Sequence, residues 1–503
     1  MPMRKIALTL HAHLPFYPPE LDQPNPAAGA PSFGSHWLLE NVIECYLPLL
    51  RSLKRLGGVS RNELNLSFSP VLLEQLISPK TKRAILAELN ALIDRAKSDA
   101  RRFHGPMRKQ AEVYRRKFSD LLEFYVTIEQ DIVGEFSRLT NVELMTTALT
   151  HAFLPLLKYH DSACAFQISE AARYAEMRMG RRARGFWFPE MGYTPYMREV
   201  VSESFDYFLV VPPAVPGWDR NAYRNHLGGR YGVVDSGISS LIWHPVPQVG
   251  EPTLARSTIY REFFRWDDSG GLKYWSITGQ DVPLAEKAPY SSDAAVRQLE
   301  EDVAGCLRLL RRLRSDRLLA LDAEFFGHHW YEGSDFLYLL LKHSEDDGVR
   351  FVPNSDLITN PEAEALEVEP RESCWGSTDI WMGPGRIAEV RFDILARTEK
   401  ALALFQAYRG EKDHYRGMLL NRLLRELVVI QASDYAFAIC TGRDSQYYDR
   451  IVARHRASFD ALADEIVKAC SYCERKRFLP ILRRIAGINY LFRDTDYKAL
   501  TCQ

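Results

Sequence analysis

"GFWFPEMGYTP", residues 185–195, decides how the chain is read. Gly185 to Pro189 shows no polar alternation. A short apolar run of this kind is a strand buried on both faces, as in parallel sheets covered by helices. It ends on Glu190, and Asp or Glu is rarely buried without a partner. Glu190 is therefore either neutralised by an arginine such as Arg182 or Arg184, or it points into a site. The same pattern recurs outward in both directions: "KIALTLHAHLPF" (5–16), "NELNLSFSPVLLEQL" (62–76), "VELMTTALTHAFLPLL" (142–157) and "DYFLVVPP" (206–213) come first. "SLIWHPV" (240–246), "GLKYWSITG" (271–279) and "RLLALDAEFFGHHWYEG" (317–333) follow, and "VRFVPNSDLI" (349–358) closes the series. Buried strands alternating with helices imply a parallel sheet with crossovers. About seven such units predict an α/β protein with a closed or nearly closed barrel over residues 1–360. A charged stretch at 80–140 carries apolar residues at three and four spacing and predicts a helical insertion. Residues 361–384 form a junction. Residues 385–503 show helical periodicity and no strand, so they predict an all-helical C-terminal domain.

Bulk properties narrow the class. A chain of 503 residues divides into two or three domains. Lys+Arg 64 against Asp+Glu 65 gives a net charge of -1, which argues against a nucleic-acid partner. Aromatics make up 12% of the chain, which suits large cores or platforms for stacking sugar rings. The eight cysteines are scattered, and Cys470 and Cys473 make a CxxC without the second pair a zinc site needs. The N-terminal apolar run alternates with polar residues and reads as a strand rather than a signal peptide. No stretch approaches the ~18 apolar residues of a membrane span. Together these predict a cytoplasmic protein with reduced thiols; a monomer or homodimer is the expected state, which composition itself does not decide.

In a parallel barrel, chemistry sits where strands end. Here those ends carry His11 and His13, His151, Glu190, Trp275, Asp322 and His328. His11 and His13 are two apart and face one side of their strand. They read as hydrogen-bonded core histidines, as donors to substrate hydroxyls, or as metal ligands. In the last case His151 and Asp322 complete the set of a zinc amidohydrolase or deacetylase. Asp322 ends the buried run Leu318–Leu321, and Glu324 is expected to point the same way. Two carboxylates brought from distant strands to one aromatic-lined rim are what glycoside cleavage requires: one attacks the anomeric carbon, and the other protonates the leaving oxygen. Phe325 and Trp330 are placed to raise the pKa of the acid.

"HAHLP", "SFSPVLLEQL", "THAFLPLL", "GFWFPEMGY" and "LDAEFFGHHWYEG" together resemble the ordered motifs of glycoside hydrolase family 57, and most of all its α-1,4-glucan branching enzymes. "HWLLENVIECYLPLL" (36–50), "YREFF" (260–264), "GLKYW" (271–275), "RESCWGSTDIW" (371–381) and "RELVVIQASDYAFAICTG" (425–442) extend the resemblance over nearly the whole chain. It implies a (β/α)7 incomplete TIM-like barrel, a retaining mechanism with Glu190 as nucleophile and Asp322 as acid/base, and no metal or other cofactor. It also implies His11, His13 and His151 at the donor subsite, and Trp37, Trp275, Trp375 and Trp381 around a groove for an α-1,4-glucan. This sequence has "WFPE" where the family has "WLPE", and "GHHW" where it has "GHWW". The stretch from Glu190 to Tyr260 is short. In branching enzymes that region carries a loop tyrosine near the acceptor side, and Tyr231 is the candidate here. A trimmed loop admits water to a reactive intermediate. The α-amylase or 4-α-glucanotransferase reading, with the same two carboxylates, therefore stays open beside the branching one.

Overall fold

A computed structural model describes residues 3–18, 34–243, 258–263, 272–277, 282–283, 286–360, 365–442, 445–468 and 472–501. Among the described residues the strands are β1 (Arg4–Ala12), β2 (Leu64–Phe68), β3 (Val142–Thr147), β4 (Gly185–Trp187), β5 (Tyr207–Val210), β6 (Ala222–Arg224), β7 (Arg230–Val233), β8 (Arg317–Asp322), β9 (Val349–Phe351) and β10 (Leu366–Glu367). Seven of them run parallel in the order β7-β5-β4-β3-β2-β1-β8. Just beyond β7, the Asp235 amide donates to the Leu318 carbonyl of β8 at 2.8 Å and draws the two edges together. β9 wedges in at the start of β1 through the pairs Arg4–Val349 and Ile6–Phe351. β6 returns antiparallel on β7, and β10 adds to β6.

Side-chain parity sorts the barrel into inside and outside. Ala7, Met145, Trp187, Leu209, Leu318 and Ala320 pack together in a small inner cluster. Ile6, Leu8, Leu10, Phe186, Phe208, Leu319 and Leu321 belong to the large apolar cluster beneath the helices. Counting on by two from the inner residues gives Thr9 and His11 on β1 and Asp322 on β8. The buried strand pattern thus aims these polar groups up the barrel axis.

Two strand assignments fail. "SLIWHPV" has the pattern of a strand, but Ser236–Trp243 is a helix, and 244–246 lie outside the described residues. A short apolar run cannot be told from a buried helix by periodicity alone. "GLKYWSITG" was read as another. Its described part, 272–277, makes only isolated bridges, Arg261 to Ser276 and Trp275 to Pro289. The barrel position is taken instead by β7, "RYGV", which is too short and too polar at its start to stand out. The CxxC pair lies outside the described residues, because Cys470 does.

Helices Pro79–Arg102 and Gly105–Thr127 lie between β2 and β3 and pack on each other. Their buried residues, Ile85, Leu89, Ile93, Ala96 and Ala100 against Ala111, Tyr114, Phe118, Leu121 and Tyr125, recur every three or four positions. Beyond the junction come Arg386–Ala407, His414–Ile430, Ser433–Thr441, Ser445–Lys468 and Tyr472–Ile488. The apolar periodicity of "YRGMLLNRLLRELVVIQASDYAFAI" (415–439) reads as one continuous helix. The structure breaks it at Gln431–Ala432, where Ala432 is extended and bridges Ala152, and the Ser433 amide bonds the His151 carbonyl. That break delivers the next helix's first turn to the barrel mouth. Among the described residues, no helix is long and apolar enough to cross a membrane.

Candidate active site

β4 and β8 stand across the ring from one another: β3, β2 and β1 separate them one way, β5 and β7 the other. Asp322 is the last residue of β8 and sits opposite His11 in the β1 register. Glu190 comes three residues after β4, in a sharp reversal where Glu190 (φ 55) and Met191 (φ 51) are both left-handed. For residues with a Cβ this conformation costs of order 1–3 kcal/mol each. The reversal is held by the Met191 amide on Phe188 O at 2.7 Å, the Gly192 amide on Pro189 O at 2.9 Å and the Trp375 amide on Glu190 O at 2.8 Å. The arginines that could have neutralised Glu190 are engaged elsewhere: Arg182 pairs with Asp206, and Arg184 with Asp206 and Glu143. Glu190 is left facing the mouth.

Three histidines form the floor. His11 stacks on Trp187 with ring centres 4.6 Å apart and planes within 4°, and His13 stacks on His151 at 3.9 Å. Every ring nitrogen of the three has a partner. His11 bonds Ser67 Oγ (3.1 Å) and His151 Nε2 (3.1 Å), while His151 also bonds Ser433 Oγ (3.0 Å). His13 bonds Ser69 Oγ (2.8 Å) and Asp434 Oδ2 (2.9 Å). Burial, then the neighbouring imidazoles, holds His11 well below its ordinary pKa. Burial and His13 do the same for His151, so both are neutral at pH 7.

Asp434 was missed as a functional residue, although it lies within the quoted "RELVVIQASDYAFAICTG". It reaches in from the helical C-terminal part. Burial pushes its pKa up, but the charge and hydrogen bond of His13, then His151, outweigh burial and hold it below the usual carboxylate range. Its negative charge acts on both candidate catalytic groups. Burial, then Asp434 and Asp322, raises Glu190 to about 8. Burial raises Asp322 to about 6, with His13 pulling it down and Asp434 pushing it up. No periodicity or motif spacing marks a residue about 110 positions from Asp322, so only the resemblance pointed near it.

Glu324 corrects an expectation. The strand ends at Asp322, and a tight 3-10 turn, Ala323–Phe325, replaces the two-residue alternation. Glu324 turns away beneath the site, accepting from the Tyr46 hydroxyl and from the His13 amide at 2.9 Å. Burial, then Asp322, raises its pKa to about 8. The segment that backs this turn, Val42–Tyr46, is one turn of π-helix. Gly327 (φ 144) lets the two approach, since a Cβ there would sit 2.2 Å from the Glu44 carbonyl oxygen.

The other expected residues divide. Trp375 is 40% exposed, beside Trp187 with ring centres 5.6 Å apart. His328 is buried under Trp37 and Phe263, at 5.2 and 4.6 Å. Trp381 is not a groove residue: it is buried against Phe153 at 5.0 Å and Phe437 at 5.8 Å, joining barrel loop to helical domain. Trp275 is half-buried in its bridge to Pro289. Tyr231 is not a loop residue. It lies fully buried in β7, stacked between Phe208 and Tyr223 at 5.3 and 5.5 Å, and its hydroxyl donates to Val368 O at 2.9 Å. A tyrosine followed by Gly-Val-Val is indistinguishable in sequence from a loop start, and the core packing decided it.

The zinc reading does not fit these residues. His13, His151 and Asp434 bring ligand atoms within 4.8 Å of one another, but Asp322 is not in that group. The imidazoles lie stacked face to face, with their nitrogens committed to serines, to Asp434 and to each other, whereas a tetrahedral ion needs lone pairs converging on one point.

Two carboxylates opposed across an aromatic-floored barrel mouth define the class, a glycosidase-type barrel enzyme. The chain belongs to glycosyl hydrolase family 57, whose profile matches residues 7–372. A second profile, the C-terminal domain of 1,4-α-glucan branching enzymes, matches residues 394–499. The chain is 27% identical, over 92% of its length and 74% of the relative's, to a 1,4-α-glucan branching enzyme of Thermococcus kodakarensis. It superposes on the crystal structure of a branching enzyme of this family from Pyrococcus horikoshii with a TM-score of 0.87, at 25% identity, covering 99% of this chain and 96% of that one. The α-amylase AmyC from Thermotoga maritima gives a TM-score of 0.84 at 25% identity, covering 100% and 99%.

Proposed function

We propose that this protein is a retaining 1,4-α-glucan branching enzyme. The observation that carries the reading is a pair of carboxylates, Glu190 and Asp322, carried at the ends of strands that face each other across one barrel mouth, to which a branching-enzyme C-terminal domain brings Asp434. In the first half-reaction a Glu190 oxygen bonds the anomeric carbon as the bond to O4 breaks, and Asp322 gives its proton to O4. In the second, Asp322 takes the proton of an acceptor 6-hydroxyl, O6 bonds the anomeric carbon, and Glu190 leaves. An α-1,6 branch results, and both carboxyls return to their starting states.

In the free site the proton sits on the other partner, because Glu190 holds it up to about 8 and Asp322 only to about 6. At neutral pH the pair therefore holds one proton, on Glu190, which burial and then the charges of Asp434 and Asp322 keep protonated. A glucan bound between them reverses the order: positive charge growing at the anomeric carbon favours an ionised Glu190, and the leaving oxygen draws the proton to Asp322. Neutral His11 and His151 form an uncharged floor beneath the sugar, and His13 positions Asp434 through its hydrogen bond. Trp375 and Trp37 wall the groove, with His328 behind Trp37.

The division of labour runs with the chain: a catalytic barrel over 1–360 with the helical insertion at 80–140, a junction over 361–384, and a helical domain over 385–503 that completes the site. A cytoplasmic enzyme acting as monomer or homodimer on storage glucan fits this reading. Amylose treated with wild type, Glu190→Gln and Asp322→Asn is the test. Chain-length analysis after enzymatic debranching separates new branches from shortened chains. Undiminished branching in either variant refutes the roles, and shortening without branches turns the assignment to an α-amylase.

A further inference from the structure

Two tyrosines on the mouth side of the barrel remain unused by this chemistry. Tyr159, in the loop between β3 and helix Asp161–Met179, is 74% exposed, and Tyr196, in the turn Pro195–Met197 after β4, is 59% exposed. A lone exposed aromatic needs no explanation, but a cluster on a rim next to a binding groove does. Their rings stand edge to face with centres 6.4 Å apart. Between their loops lies a polar bridge. Lys158 Nζ reaches both Glu372 oxygens at 3.2 and 3.1 Å, Thr194 Oγ1 donates to Glu372 at 3.3 Å, and the Lys158 ammonium lies 5.6 Å from the Tyr159 ring. Glu372 belongs to the junction segment that bridges Tyr193 through Ser373 and then bonds Glu190 through the Trp375 amide. Three residues of extended chain span at most about 10 Å, so this patch continues the rim outward from Trp375.

We propose that Tyr159, Tyr196 and the Lys158–Glu372 pair form an outer platform that holds a long α-1,4-glucan chain beyond the groove. The proposal rests on the branching-enzyme reading above. The ring faces offer the apolar-bodied, polar-tipped surface on which a pyranose stacks, at low entropic cost for each side chain. The ammonium and carboxylate beside them present donors and acceptors to sugar hydroxyls. A glucan is the occupant favoured by continuity: the segment from Glu372 reaches the exposed Trp375 within three residues, and Trp375 lies beside Trp187 at the groove. The platform lets the enzyme distinguish a long donor from a short one, because only a long chain touches both it and the carboxylates, and a second tethered contact multiplies affinity without any change at the reacting centre.

The test is binding, on the full chain made inert as Glu190→Gln. Dissociation constants for long amylose and for maltotetraose are compared with and without Tyr159→Ala/Tyr196→Ala. Amylose affinity is expected to weaken about tenfold, or ~1.4 kcal/mol, and maltotetraose affinity less than about twofold. Phe392→Ala, an exposed aromatic on the helical domain, serves as control and leaves amylose affinity as it was. In the unsubstituted protein, amylose is expected to shield Tyr159 and Tyr196 from nitration mapped by mass spectrometry, which needs no variant to fold. Equal amylose affinity, absent shielding, or a change in native mass in place of a change in glucan affinity overturns the platform. A wild type that branches amylose while the tyrosine variant binds it normally refutes the platform alone, whereas a wild type that neither binds nor branches amylose refutes the reading beneath it.

Discussion

Removing the charge at Glu190 should stabilise the protein as pH rises, while abolishing its activity. The ordinary pKa of a glutamate is 4.5, and burial beside Asp434 and Asp322 raises this one to about 8. A carboxyl whose pKa is raised in the folded state favours folding below its unfolded pKa, and that contribution is lost as pH rises towards the folded value. Between pH 4.5 and pH 7.5 the loss at ~1.36 kcal/mol per pH unit comes to about 4 kcal/mol. Glu190 borders a groove that water enters, so about half, roughly 2 kcal/mol, is a fair expectation. Gln carries no charge and avoids the penalty. An unfolding entropy of ~2.1 cal/mol/K per residue, over 503 residues, converts this to an increase in Tm of about 2 °C. Differential scanning calorimetry of wild type and Glu190→Gln from pH 5 to pH 8 should show melting curves closest at pH 5 and separating progressively from there as pH rises. Curves that stay parallel across the range, or a variant that loses ground at high pH, would refute a buried, repelled carboxylate at 190.

Asp322→Asn should lower kcat by about 10²–10⁴, the range for losing a general acid–base group. Removing its negative charge also lowers the Glu190 pKa, so the pH profile of any residual activity should shift to lower pH; an unmoved profile means the two do not interact. Tyr231→Phe should cost about 1 kcal/mol of stability through its bond to Val368 O and leave the ratio of branching to hydrolysis unchanged, as read by debranching and by reducing-end release. A changed ratio restores it to the acceptor side. Gly327→Ala should destabilise by about 3 kcal/mol or more, from a strained positive φ and a Cβ pressed on the Glu44 carbonyl; a urea midpoint equal to wild type would mean that the turn and the π-helical segment yield without cost.

The sequence by itself determined the parts governed by local rules. Apolar runs such as Leu318–Leu321 ended on polar residues, and the rule that barrel chemistry sits where strands end singled out His11, Glu190 and Asp322. The three- and four-residue spacing in 80–140 gave the helical insertion. Where the local rule stopped, so did the reading. Glu324 was expected beside Asp322 until the 3-10 turn rotated it to Tyr46, and Tyr231 looked like a loop residue until Phe208 and Tyr223 stacked on it. The short β7 carried too little pattern to register, and the helix Ser236–Trp243 carried an apolar run that two structures share. Asp434 depended wholly on the tertiary fold. A charge felt by Glu190 and Asp322, yet remote from both in sequence, leaves no period to detect, since Coulomb interactions depend on distance in space and only the closed chain brings those groups together.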